Sequence, residues 1–126
     1  MVTLSYSFGY MERRKSIRSV STKTARRNRL RRAFVQEVLE KQPGCEARLG
    51  GCTHRATEVH EILTRARGGS ILDRANVVAL CHACHSFITV NPTWAFQNGW
   101  MLSSWCGPAD IEIARQLRAV RARQET

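Results

Sequence analysis

The run Leu80-Cys81-His82-Ala83-Cys84-His85 decides how the rest of the chain is read. Two thiols separated by two residues converge on one point, and a tetrahedral zinc then needs two further ligands. Cys45 and Cys52 are the plausible second pair. Their gap is longer than the usual two to four residues, but Gly50-Gly51 lets the intervening loop fold back. His54 competes as a fourth ligand, whereas Cys106 has no partner at a useful spacing. The expectation is one structural zinc on Cys45, Cys52, Cys81 and Cys84. Five cysteines, an odd number, also argue against a disulfide framework. His85 follows Cys84 directly, so its side chain leaves the knuckle in another direction. It falls in the first turn of a helix, where backbone N–H groups favour an anion.

Working outward, Val77 to Leu80 is a short apolar strand, and Ala56 to Leu63 reads as another before the turn signal Arg67-Gly68-Gly69-Ser70. A helix is expected from His85 to Val90, stopping before Asn91-Pro92, and a short one from Pro92 to Asn98, ending at Gly99. Trp100-Met101-Leu102 reads as a further strand. Pro108 opens a last helix, with Asp110 and Glu112 in its first turn and Arg121 and Arg123 near its end, as the helix dipole favours. Towards the N-terminus, Ser21 or Thr22 can cap a helix whose apolar residues Leu30, Phe34 and Val38 recur every fourth position. Pro43-Gly44 should stop it near Gln42. The fold class is therefore α+β. The chain divides into a flexible basic arm (1–20), a basic helix (21–44), a small core (45–100) and a C-terminal extension with a helix (101–126).

Charge narrows the partners. Twenty Lys and Arg face ten Asp and Glu, a formal net charge of +10. Residues 1–44 hold eleven of the basic residues and three of the acidic ones, so +8 of the +10 sits there. Seventeen of the twenty are arginine, whose planar fork suits phosphate. Arg26, Arg27, Arg29, Arg31 and Arg32 fall within seven residues and repel one another unless a polyanion is near. Arg65 and Arg67, near the turn, are placed to clamp a strand. A nucleic-acid partner is the reading favoured. No apolar run approaches a membrane span and the N-terminus has no apolar h-region, so the expected setting is a reducing cytoplasm.

Taken as a set, Val59-His60-Glu61-Ile62, Arg67-Gly68-Gly69-Ser70, Asn76 and the CxxCH run resemble the HNH (ββα-metal) endonucleases. Asn91-Pro92-Thr93-Trp94-Ala95 and Gly99-Trp100 extend the likeness to the small HNH proteins of bacteriophages and prophages. The resemblance covers about residues 45 to 100. It implies a β-hairpin followed by a helix that together grip one divalent ion (Mg, Mn, Ni or Zn). It also implies metal-dependent cleavage of DNA to 5′-phosphate and 3′-hydroxyl ends, in the cytoplasm of a bacterial host. His85 would bind the ion, Asn76 would brace the loop and orient the base, and the four cysteines would hold the separate zinc. Where some members carry a second helix histidine, this chain has Thr89. Weak sequence preference and a setting beside a phage terminase are further implications.

The general base stays open at this point. Counting from Gly68-Gly69 puts His60 at the metal-ligand position and Glu61 at the base position. The other reading makes His60 the base, with Glu61 or Glu58 helping to hold the metal. Neighbours on a strand point to opposite faces, so both can serve one site only if the strand ends or bulges there. The rival function is a non-catalytic, zinc-stapled DNA-binding protein or packaging adaptor. It needs the same cysteines and arginines but has no use for His60, Asn76 and His85 together.

Overall fold

A computed structural model describes residues 19–124; the arm expected over residues 1–20 lies almost wholly outside them. The architecture is α+β: a two-stranded antiparallel hairpin with helices on both faces. Helix α1 spans Thr22–Lys41. Ser21 caps it, its Oγ accepting the Thr24 N–H at 3.2 Å, and Gln42 closes it through a bond from its own N–H to the Val38 carbonyl. Strand β1 is Glu58–Glu61 and β2 is Val77–Leu80, paired with His60 opposite Val78. Then follow α2 (His82–Val90), α3 (Pro92–Gln97) and α4 (Pro108–Gln124). No helix among the described residues is long and apolar enough to cross a membrane.

Three expectations about elements are corrected. The first strand is shorter than Ala56 to Leu63, because only Glu58–Glu61 pair with β2. Ala56, Ile62 and Leu63 are buried just outside the paired run; the Ile62 N–H still bonds to the Asn76 carbonyl and the Ala56 N–H to the Pro43 carbonyl, both outside β2. Trp100 to Leu102 forms no strand; its one ladder-like bond runs from the Leu102 N–H to the Ile62 carbonyl. The helix after the knuckle begins at His82, not His85. Cys81 is its N-cap, the thiol sulfur accepting the Cys84 N–H, so the knuckle itself is the first turn.

Strand alternation sorts the two sides of the hairpin. Val59 packs with Phe34, Val38 and Leu39 of α1 and with Val77 and Ala79 of β2. His60 and Glu58 point the other way, towards α2. On that side the main core joins Ile62, Val78, Leu80, Ile88 and Trp100 to Cys45, Cys81 and Cys84. Burying this set drives the chain together, since each large apolar side chain fully buried contributes about 1.5–3 kcal/mol. The amphipathic half of α1 packs as its spacing predicts around Val38, but Leu30 remains half exposed.

Gly69 shows why the loop between the strands needs glycine. A Cβ there would lie 1.8 Å from the Leu63 carbonyl oxygen. Asn76, fully buried, ties the same loop together. Its Oδ1 accepts the Leu63 N–H at 2.8 Å, and its Nδ2 donates to the Leu63 and Ser70 carbonyls at 2.8 and 3.0 Å. One side chain thereby replaces the ladder bonds that the loop cannot make.

Candidate metal centres and histidine cluster

The loop that carries the first thiol pair closes on itself. Gly44 bridges Arg55, and the Cys45 N–H donates to the His54 carbonyl. Inside it the Cys52 N–H bonds back to Leu49, with Gly51 in the left-handed region at φ 83°. Glu46 docks the loop on β2 by accepting the Ala79 N–H at 2.6 Å. Cys45 and Cys52 are thus brought to Cys81 and Cys84, and all four sulfurs lie within 4.8 Å of one another. The Cys52 and Cys81 sulfurs are 3.8 Å apart. A tetrahedron with bonds of about 2.3 Å, the zinc–thiolate length, has edges of about 3.8 Å, so the set fits zinc. His54 is not part of it: its imidazole is exposed, and only its backbone N–H reaches Cys52.

The electrostatics of the cluster also suit a cation. Burial pushes the Cys81 thiol up, but the N–H groups of Cys84 and Thr53 more than offset this and bring it down to about 5. Cys84 is pushed well above the ordinary thiol range, by burial first and by the neighbouring sulfurs second. One thiolate is stabilised by its own backbone while its neighbours resist ionising together, and a bound cation removes that conflict. Cys106 sits apart, against Ser103.

A second cluster forms between β1 and α2. The rings of His60 and His85 meet edge to face, with centroids 5.2 Å apart. His60 is buried, and its Nε2 lies 2.7 Å from the Trp100 carbonyl oxygen. A carbonyl only accepts, so Nε2 carries the proton and Nδ1 keeps a free lone pair. Burial chiefly lowers the His60 pKa; the Trp100 carbonyl opposes this and the charges of His85 and Arg118 add to it. Two residues earlier on the same strand face, the carboxylate of Glu58 meets two imidazoles. Its Oε1 lies 3.2 Å from His82 Nδ1, and its Oε2 lies 3.4 Å from His85 Nδ1. Burial raises the Glu58 pKa, but the imidazoles together hold it below the ordinary carboxylate value. Oε2 is buried without a hydrogen bond. An orphaned carboxylate oxygen beside an imidazole nitrogen is a donor pair suited to a divalent cation.

Glu61 is not in this cluster. It lies on the opposite face of β1, where Arg31 of α1 stands 3.7 Å away. The expectation that His60 and Glu61 serve one centre is corrected for a simple reason: the strand neither ends nor bulges between them, so they diverge. Asn76 does not reach the imidazoles; it acts on the loop after His60 through Leu63. The reading that makes His60 the base had offered Glu58 beside Glu61 as a residue helping to hold the metal, and it is Glu58 that meets His85; His82 escaped notice because it sits between two zinc-type cysteines. The signal available was the period of two from Glu58 to His60 and of three from His82 to His85.

The arginines divide into free and engaged groups. Arg26, Arg27, Arg29, Arg31 and Arg32 are all exposed on α1, and Arg31 among them is engaged with Glu61. Arg65 is exposed at the turn. Arg67 is partly committed within the fold: it donates to the Leu102 carbonyl at 3.1 Å and stacks over Phe96. A concavity of about 920 Å³ runs along α1 past Val35, Leu39 and Pro43 to Ala56, on the side of the hairpin away from the histidines. No family model, curated protein or solved structure matches this chain.

Proposed function

We propose that the protein is a metal-dependent endonuclease that hydrolyses DNA phosphodiester bonds, built on a ββα core of the HNH type. The observation that carries the reading is the meeting of His60, His85 and Glu58 on one face of the hairpin, with Glu58 Oε2 lacking a hydrogen-bond partner. His85 and Glu58 are the residues that would hold the divalent ion. When bound there, such an ion supplies charge neutralisation on the phosphate and on the departing 3′ oxygen. The chain's own part is proton transfer and positioning. His60 Nδ1 takes a proton from the attacking water, while the Trp100 carbonyl holds the ring in the correct tautomer. Asn76 sets the loop that follows the base. The exposed arginines of α1 and Arg65 bind backbone phosphates without reading bases. The cysteines form a separate structural zinc site. A setting in phage DNA processing, beside a terminase, belongs to the same proposal.

Supercoiled plasmid tests the reading. Purified protein with Mg²⁺, Mn²⁺ or Ni²⁺ is expected to convert it to nicked or linear form, and His85→Ala to abolish this while retaining the zinc. Failure of the wild type to nick with any of these ions, with retained DNA binding, would instead identify a zinc-stapled DNA-binding protein.

A further inference from the structure

The imidazole of His60 is oriented by the Trp100 carbonyl, and the chain that carries this carbonyl is held from the C-terminal helix. The peptide joining Gly99 to Trp100 is pinned at both ends. Its N–H donates to the Ala95 carbonyl at 2.9 Å, and its oxygen accepts from Arg118 Nη1 at 2.6 Å. A bond from a guanidinium to a carbonyl is stronger than one between neutral groups. Gly99, at φ 81°, lies so close to α4 that a Cβ there would stand 2.5 Å from the Ala114 carbonyl oxygen and 3.1 Å from Arg118 Cγ. The same guanidinium lies over the Trp100 indole, 5.3 Å from the ring centroid, and Trp100 is buried in the main core. Two residues on, the Leu102 N–H bonds to the Ile62 carbonyl and ties the chain to the end of β1. Peptide, ring and following residue are all fixed, and the Trp100 carbonyl is left aimed at His60 Nε2, 2.7 Å away.

We propose that Arg118 is a positioning residue for the hydrolysis. Through the Gly99–Trp100 peptide it keeps the Trp100 carbonyl on His60 Nε2, and so keeps the bare Nδ1 directed at the attacking water. The proposal rests on the reading of His60 as the general base. It gives a role in the reaction to α4, which lies outside the 45–100 stretch that carries the HNH likeness. The role needs a group that reaches a carbonyl and covers an aromatic ring at once, and the flat guanidinium on its long stem does both. Lysine keeps a donor and a cation but loses the planar fork. Methionine keeps the stem and loses both.

The test uses the zinc-loaded full chain and compares Arg118→Met, Arg118→Lys and His60→Ala by two readouts. One is steady-state nicking of supercoiled plasmid. The other is the imidazole N–H region of the NMR spectrum at pH about 8, where ordinary imidazoles are neutral. An Nε2–H bonded to a buried carbonyl exchanges slowly and gives its own resonance, which its disappearance in His60→Ala assigns. Arg118→Met is expected to lower kcat by about tenfold or more, with KM for plasmid changed less than about twofold, and to lose or shift the His60 resonance. Arg118→Lys is expected to recover part of both. Unchanged zinc content shows that the knuckle has survived. An Arg118→Met protein as active as the wild type, beside an inactive His60→Ala, overturns the positioning role and leaves the base standing. A lower kcat with the His60 resonance unmoved also overturns it, because Arg118 then acts elsewhere. A rise in KM alone overturns it by marking Arg118 as a phosphate contact. Wild-type activity in His60→Ala overturns the base and the positioning role together. If Arg118→Met loses its zinc, Arg118→Lys and Arg118→Gln decide the question, and an unmoved resonance in both overturns the proposal.

Discussion

His60 owes its chemical state to the Trp100 carbonyl and the core around it. The carbonyl fixes the tautomer, and burial disfavours the imidazolium, so the ring is neutral at pH 7 and able to accept a proton. The sign follows directly. The folded pKa lies below the ordinary imidazole value of about 6.5, so the base stays competent as the pH falls through 6.5 and is lost only below it. We expect the acid limb of kcat/KM for plasmid nicking to lie below pH 6.5. A limb centred above 6.5 would contradict a buried, carbonyl-bound base. At this scale the sequence was legible in part. The histidines and cysteines stood out by type and spacing, and His60 and His85 do meet. Glu61 was given a role by counting from Gly68-Gly69, yet adjacency to His60 on a strand means opposite faces, and only the three-dimensional partner, Arg31, tells which face. Glu58 pairs with two imidazoles more than twenty residues away, a relation no local pattern carries.

Among the elements, the loop from Leu63 to Ser70 carries the most constraint on the fewest atoms. Asn76 makes three hydrogen bonds to it from a fully buried position. Asn76→Ala leaves the Leu63 N–H and carbonyl without these partners, at a cost of about 2–4 kcal/mol. Chemical denaturation should show that loss, with the slope m unchanged; a loss below about 1 kcal/mol would mean that the loop finds other partners. The C-terminal helix acts on the site from behind. Arg118 of α4 donates to the Gly99 carbonyl at 2.6 Å and lies over the Trp100 ring, next to the carbonyl that orients His60. Gly99 permits this approach, having φ 81° and no Cβ to strike the Ala114 carbonyl. The helices themselves were legible from caps, prolines and apolar spacing. The strand limits were not, because Ala56, Ile62 and Leu63 are as apolar as strand residues but lie outside the run that pairs with β2.

For the molecule as a whole, the four thiols are part of the core and not an appendage. Cys45, Cys81 and Cys84 are buried among Ile62, Leu80, Ile88 and Trp100, so the zinc-type cluster and the histidine face share one packed unit. A metal on four thiolates contributes on the order of 10 kcal/mol to folding in small domains, comparable to the whole stability of one. Stripping zinc with a strong chelator should therefore abolish the cooperative thermal transition and nicking together; a transition that survives unchanged would make the cluster dispensable. In the proposed function, the basic residues exposed on α1, on the far side of the hairpin, would set affinity for a polyanion and leave the chemistry to the imidazole face. The account as a whole rests on that face being the catalytic one. Its most direct test compares nicking rates of His60→Ala and Glu61→Ala, both zinc-loaded and folded. The account predicts a loss of at least a hundredfold for His60→Ala, the scale of a general base, and a change of no more than a few fold for Glu61→Ala. An inactive Glu61→Ala beside an active His60→Ala would contradict it.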